Sequence, residues 1–246
     1  MSHTAQFETE IRSLDLAQIT ARALGFDLNT VAQKQFVDTY YDGNVAVDAC
    51  FEFPGLEYLD NGYNSSHGFI GRKGRNKAIG LKRTEKGTYS FVFDAWSICA
   101  SNERSAIGEK FGTLGKWKEG EQKDSAGNVI TGHISVGTAH VFMHEYVCQT
   151  AELYARSTFM NSERRHDNAS GQTTIILTGG NLLPGEEIHV IAHADGTSTM
   201  AAVGFTGSRC KVATSPLESI LGVQVNDELL GDYYHTVDGE HLKVEW

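Results

Sequence analysis

Residues Glu187 to Gly222 read EIHVIAHADGTSTMAAVGFTGSRCKVATSPLESILG, and the local signals in this stretch agree on one module. Asp195-Gly196 separates two alternating runs, and that dipeptide favours a two-residue hairpin turn because both positions accept positive φ. Gly204-Phe205-Thr206-Gly207 then supplies a turn, and Ser208 offers a side-chain oxygen to cap the amides of a following helix. The expected unit is strand, strand, helix, with Cys210 on the first helical turn. Pro216 would remove a hydrogen bond inside that helix, whereas Ser215-Pro216-Leu217-Glu218 has the pattern of a fresh capping box with proline at its first helical position. A break or kink near Ser215 is therefore expected.

Working outward, the loop from Gly179-Gly180-Asn181 to Pro184-Gly185 marks a boundary near residue 180. Before it, Gln172–Thr178 reads as a strand and Thr138 to about Phe159 as the longest helix. Phe142, Tyr146, Gln149 and Leu153 trace one stripe of that helix, and Cys148, Ala151 and Ala155 a second beside it. At the other end of the chain, Thr4–Ile11 alternates as a strand, Ser13 caps a helix over Leu14–Leu24, and Gly25 stops it. Strands are expected at Val45–Phe53, Ala78–Lys82 and Thr88–Phe93, the last two joined across Glu85-Lys86-Gly87. Asn61–Gly80 reads as a long irregular connection and Lys116–Gly132 as a solvent-facing insertion. The expected fold is α+β: an antiparallel sheet with helices on one face, a split βαβ or ferredoxin-like core over residues 1–180 with insertions near 60–80 and 116–132. Residues 181–246 would form a small strand-strand-helix module that cannot bury much surface alone and therefore docks on the larger part.

The 246 residues are 40% apolar and 21% charged, ordinary for a soluble globular protein. A formal charge of -10 argues against nucleic-acid binding by the whole surface. No window approaches the length of a membrane helix, and the N-terminus lacks an apolar signal core. Cys50, Cys99, Cys148 and Cys210 are scattered without a C-x-x-C pair, which reads as reduced thiols in a cytoplasmic protein.

Cys210 is the strongest single chemical candidate. Near a helix start and between Arg209 and Lys211, its thiolate would be favoured, making it a nucleophile, sulfur carrier or redox sensor. The alternative is a small buried residue packing the helix on the hairpin. His140 and His144 lie one helical turn apart and could face one ion, but they supply two ligands where a zinc site needs three or four. His189 and His193 repeat the spacing on a strand, where four residues span roughly 13 Å. His133-Ile134-Ser135-Val136 matches half of the paired pattern of two-histidine phosphoesterases, and the second half is missing. A basic run, Arg72, Lys73, Arg75, Lys77, Lys82, Arg83 and Lys86, stands out in an acidic chain. It could hold a phosphate, an RNA strand or an acidic partner, or simply be a solvated loop and a lysine-protected edge strand.

Two stretches resemble known families. Met1-Ser2-His3, Thr9, Arg12 and Leu24-Gly25, then Tyr146, Ala151, Leu153, Ala155-Arg156 and Gly171 with its closing strand, resemble the plastid and cyanobacterial hypothetical reading frame family called domain of unknown function 1257. Asp195-Gly196, Gly204-Phe205, Gly207, Cys210, Leu217-Glu218, Leu221-Gly222 and Tyr233-Tyr234 with Thr236 resemble the small family called domain of unknown function 2997. The chain thus looks like a fusion of the two. Genes for these families are often neighbours, with AAA+ ATPase genes nearby. The resemblance therefore implies a protein partner, an AAA+ ATPase among the candidates, and an accessory or adaptor role, with self-association left open. It implies no cofactor, and no convergent catalytic set argues for an enzyme. The other readings carried forward are a thiol-dependent enzyme using Cys210 and a phosphate or nucleic-acid binder using residues 72–86.

Overall fold

A computed structural model of the chain describes residues 3–30, 35–39, 43–52, 79–93, 111, 116–123, 129–136 and 139–229. The fold is α+β, with helices and antiparallel sheets. The chain divides into two compact units, Met1–Glu10 with His144–Trp246, and Ile11–Met143. Strand β1 (His3–Thr9) opens the first of these, and the second is inserted after it.

The inserted unit begins with α1 (Leu14–Ala23). Ser13 is extended and its Oγ accepts from the Leu16 amide at 3.2 Å, while Gly25 at φ +79° ends the helix, both as its residues predict. Strands β2 (Asp27–Asn29), β3 (Gln35–Thr39), β4 (Gly43–Val47), β5 (Ala49–Glu52), β6 (Ile79–Arg83) and β7 (Tyr89–Phe93) follow. The order β2-β5-β6-β7 makes one antiparallel sheet, and β3 pairs with β4. Thr84-Glu85-Lys86-Gly87 closes the β6–β7 hairpin, with Gly87 at φ +83°. Where a solvent-facing insertion is expected, β8 (Lys116–Lys123) and β9 (Val129–Val136) form an antiparallel ribbon in full register. Charged residues concealed a period-two pattern there, since a ribbon needs ladder hydrogen bonds and a turn rather than an apolar run. The longest helix, α2 (His140–Ser157), contributes Phe142 to this unit. Phe26, Phe51, Phe91, Phe111 and Phe142 form an aromatic core, with Phe111 4.9 Å from both Phe26 and Phe51 and stacked on Phe142 at 5.5 Å. Such ring pairs add about 0.5–1.5 kcal/mol each beyond burial of their area.

The other unit contains β1, the rest of α2, β10 (Met160–Asp167), β11 (Gln172–Gly179), β12 (Glu187–Ala192), β13 (Ser198–Val203), α3 (Arg209–Leu221) and β14 (Gly222–Leu229). Its six-stranded sheet has the order β10-β11-β12-β13-β1-β14. β1 runs antiparallel to both β13 and β14, so β13-α3-β14 is a βαβ unit split by the N-terminal strand. The set β14-β1-β13-β12 is the ferredoxin-like order, and the β10–β11 hairpin extends it beyond β12. The expected division near residue 180 is not where the units part. Residues after 180 supply strands of a sheet that also contains β1, and backbone pairing joins them.

Strand register explains which face is buried. Ile175 lies opposite Val190, Val190 opposite Met200, and Met200 opposite Ala5, so one row of apolar residues crosses four strands. A second row runs through Leu177, Ile188 and Ala202. Val147, Cys148, Ala151 and Ala155 of α2 and Cys210, Leu217 and Leu221 of α3 join both rows in one core cluster, so both helices cover the same face. Of the two stripes expected on α2, the small-residue one is fully buried; in the other, Phe142 and Tyr146 are buried and Gln149 and Leu153 only half-buried. Each fully buried Leu, Ile or Val contributes about 1.5–3 kcal/mol.

Two expectations about α3 are corrected. Ser208 precedes the helix in a helical conformation and makes no side-chain capping bond. The helix also continues through Pro216 without a break, one of the two outcomes expected there. Proline there removes an amide that would have bonded to the Val212 carbonyl, and Val212 is 76% exposed, so that carbonyl can turn to water instead. Glu186, only 5% exposed, anchors the start of α3 by accepting from Arg209 at 3.1 and 3.0 Å and from the Leu183 amide at 2.8 Å.

The turn before α3 depends on a close approach of two backbones. Gly204 sits at φ +77°, and a Cβ there would lie 2.0 Å from the carbonyl oxygen of Gly185. Gly185 itself, at φ +89°, has nothing within 4 Å of its Cβ position. Gly204→Ala is expected to lower stability by on the order of 3 kcal/mol or more, and Gly185→Ala by only about 1–2 kcal/mol from backbone strain. Urea denaturation midpoints of the two variants check the difference.

Candidate functional site

Polar side chains collect along the seam where α2 meets β10 and β11. His144, on α2, places Nδ1 3.1 Å from the His193 carbonyl oxygen and Nε2 2.8 Å from Oγ1 of Thr173. A carbonyl can only accept, so Nδ1 carries the hydrogen and the neutral ring accepts the Thr173 hydroxyl at Nε2. Thr173 in turn accepts from Nδ1 of His166 at 2.9 Å. The result is a directed chain from exposed His166 through buried Thr173 to half-buried His144, able to pass a proton between the rings. Burial lowers the pKa of His144 below its ordinary value; the His193 carbonyl and Glu145 oppose this, and Arg164 and His166 reinforce it.

At the next residue of α2, Glu145 accepts from Arg164 of β10 on both oxygens at 3.1 and 2.5 Å, and Arg164 lies 3.7 Å from Glu152. Burial alone would raise the Glu145 carboxyl, but the hydrogen bonds from Arg164 and Gln149 hold it below the usual range. Cys148, beneath them, is pushed up to about 12 by burial, so it is a core thiol and not a nucleophile.

The sheet face opposite the helices is differently made. Glu163 lies opposite Ile176, Ile176 opposite His189, and His189 opposite Ala201; the neighbouring row is Arg165, Thr174, Ile191 and Thr199. Arg165 donates to Glu163 at 2.7 and 2.9 Å, and this bond holds the Glu163 carboxyl below its ordinary value. His189 pairs with Glu187 at 2.7 Å. A shallow cavity of about 320 Å³ opens here, lined by Asn161, Glu163, Arg165, Thr178, Glu187 and His189 over Ile176. Its charges are already matched within the strands, which suits contact with another surface better than capture of a bare ion.

Cys210, the leading candidate from sequence, is fully buried in the core cluster, and its Sγ donates to the Gly207 carbonyl at 3.5 Å. The two cations expected to favour its thiolate are turned elsewhere, Arg209 to Glu186 and Lys211 to Asp227. Lys82 and Arg83 are exposed at the end of β6, while Arg72, Lys73, Arg75 and Lys77 lie outside the described residues. His140 is the first residue of α2, and both ring nitrogens of His144 are engaged by protein atoms. Among the described residues there is no group of three or more side chains able to hold a metal ion. His189 and His193 bond separately, to Glu187 and to Oγ1 of Thr199. His133 lies on β9, opposite Glu119 in register. Sequence reasoning missed Thr173, on the expected strand Gln172–Thr178, because its partners His144 and His166 come from other elements, and missed Glu163, Arg164, Arg165 and His166 because β10 buries almost nothing. Its visible signal was the alternation of charge sign at two-residue spacing.

Residues 188–234 match a family model described as Protein of unknown function (DUF2997), which spans β12, β13, α3 and β14. This supports the C-terminal resemblance; the likeness of the N-terminal stretches to the other family rests on the residues quoted for it. No curated protein and no solved structure matches the chain. No helix among the described residues is long and apolar enough to cross a membrane.

Because the folded pKa of His144 lies below its unfolded value of 6.5, the unfolded chain binds more protons in that range. The stabilisation from His144 is therefore complete above pH 6.5 and is lost as pH falls through the lowered folded value. His144→Gln should lose less stability than the wild type between neutral and mildly acidic pH, measured by denaturant titration at each pH. Separately, alkylation of Cys210 should be slower than that of a free model thiol in the folded chain and should rise on adding denaturant, as read by mass spectrometry of the modified peptide.

Proposed function

We propose that this chain is a non-enzymatic accessory or adaptor subunit of an intracellular assembly linked to an AAA+ ATPase. The observation that carries the adaptor reading is the exposed sheet face of β10, β11 and β12, where matched charges surround a shallow apolar floor and both helices lie on the other side. Surfaces of this composition, with polar rims around a small apolar centre, serve protein contacts. The buried Cys210 thiol and the engaged nitrogens of His144 leave the two sequence candidates in structural roles. The ATPase link rests on the resemblance in sequence, and its chemical counterpart here is a partner surface of mixed charge.

The tagged full chain, purified from its native host, should retain an AAA+ ATPase identified by mass spectrometry. Glu187→Arg replaces the acceptor of the Glu187–His189 pair with a cation and should reduce that retention at least about tenfold, with circular dichroism checking that the variant folds. Recovery of the free chain alone, or equal retention by the variant, would overturn the reading.

A further inference from the structure

We infer that β10 is a self-association edge, along which a second copy of this chain pairs to make one continuous sheet across a two-fold axis. β10 is the outermost strand of the six, is paired with β11 over all eight residues on its inner side, and is exposed from Asn161 to Asp167. An edge of this length presents a row of unused backbone donors and acceptors. Natural edges are commonly blocked by charge, and β10 carries five ionisable residues in succession, Glu163 to Asp167. Their order does not block an inverted copy of the same strand.

A two-fold axis normal to the sheet keeps each face on its own side, so residues of equal parity meet. Centred on Arg164, the register sets Glu163 against Arg165 of the second copy, and Arg165 against its Glu163. It also sets Ser162 against His166 and Asn161 against Asp167. The same acid-base pair already closes within one strand at 2.7 and 2.9 Å, so dimerisation exchanges two exposed internal ion pairs for two crossed ones. Arg164 meets its own copy, and each guanidinium there is already held by Glu145 with Glu152 nearby, which offsets the repulsion. An overlap of about seven residues supplies about six to eight ladder hydrogen bonds. The partner that fits this edge is thus a second copy, because the sign pattern complements its own inversion. This inference does not rest on the ATPase reading; Glu187 belongs to β12 and not to the edge strand, although it lines the same cavity as Glu163 and Arg165.

The test uses analytical ultracentrifugation of the full chain over a wide concentration range. The wild type should show a monomer–dimer equilibrium. Glu163→Arg alone places arginine against arginine, and Arg165→Glu alone places glutamate against glutamate; each should weaken association about tenfold or more. An equimolar mixture of the two variants should recover a heterodimer, because the cation introduced at position 163 of one copy then faces the anion introduced at position 165 of the other, although neither chain retains its internal pair. Circular dichroism of each variant confirms folding. A wild type that stays monomeric, single variants that associate like the wild type, or a mixture that recovers nothing would overturn the inference; the last two outcomes would put any self-contact elsewhere on the molecule.

Discussion

The double pairing of β1 is the constraint on which the outer unit depends. Seven residues at the start of the chain lie between β13 and β14, with a register shift between Gln6 and Phe7 on the β14 side. Without β1 the crossover from β13 through α3 to β14 would leave two parallel strands one strand-width too far apart, with ladder groups unpaired on both. The row of Ile175, Val190 and Met200 would also lose Ala5, its continuation under the helices. Contacts of such long sequence separation impose slow, late assembly, since the strand must wait for the far end of the chain.

That arrangement tolerates a large inserted unit. β1 ends at Thr9 and α2 enters the outer unit at His144, so residues 11–143 can build their own aromatic core around Phe111 while the sheet closes on its own terms. Insertion between two elements that stay fixed costs mainly loop closure, which grows slowly with length.

The polar groups of the outer unit divide by face. On the helix side Thr173 is held between two imidazoles, Glu186 by Arg209 and a backbone amide, and half-buried Glu145 by Arg164 and Gln149. On the other side the charges are matched but exposed, where ion pairs add little to stability and mostly set which surfaces approach. Stability and recognition thus reside on opposite faces of one sheet, which lets partner-facing residues change without disturbing the core.

By itself the sequence determined the elements whose signals are local. Ser13 and Gly25 bound α1, Asp195-Gly196 marks the β12–β13 hairpin although its turn spans His193–Thr197 with positive φ at Gly196 and not at Asp195, Gly87 closes β6 on β7, and the small stripe of α2 marks its buried side. Such signals depend on φ preference, capping and periodicity, all set within a few residues. Tertiary structure alone decided the rest. The polar strand β10 exists because β11 supplies its ladder, not because it buries apolar surface. Pro216 is accommodated in a helix whose Val212, four residues earlier, is exposed, and Cys210 is a core residue because α3 lands on the sheet with its cations drawn to Glu186 and Asp227. Which residues meet across the length of the chain depends on pairing between distant strands, and no window of neighbouring residues encodes that pairing.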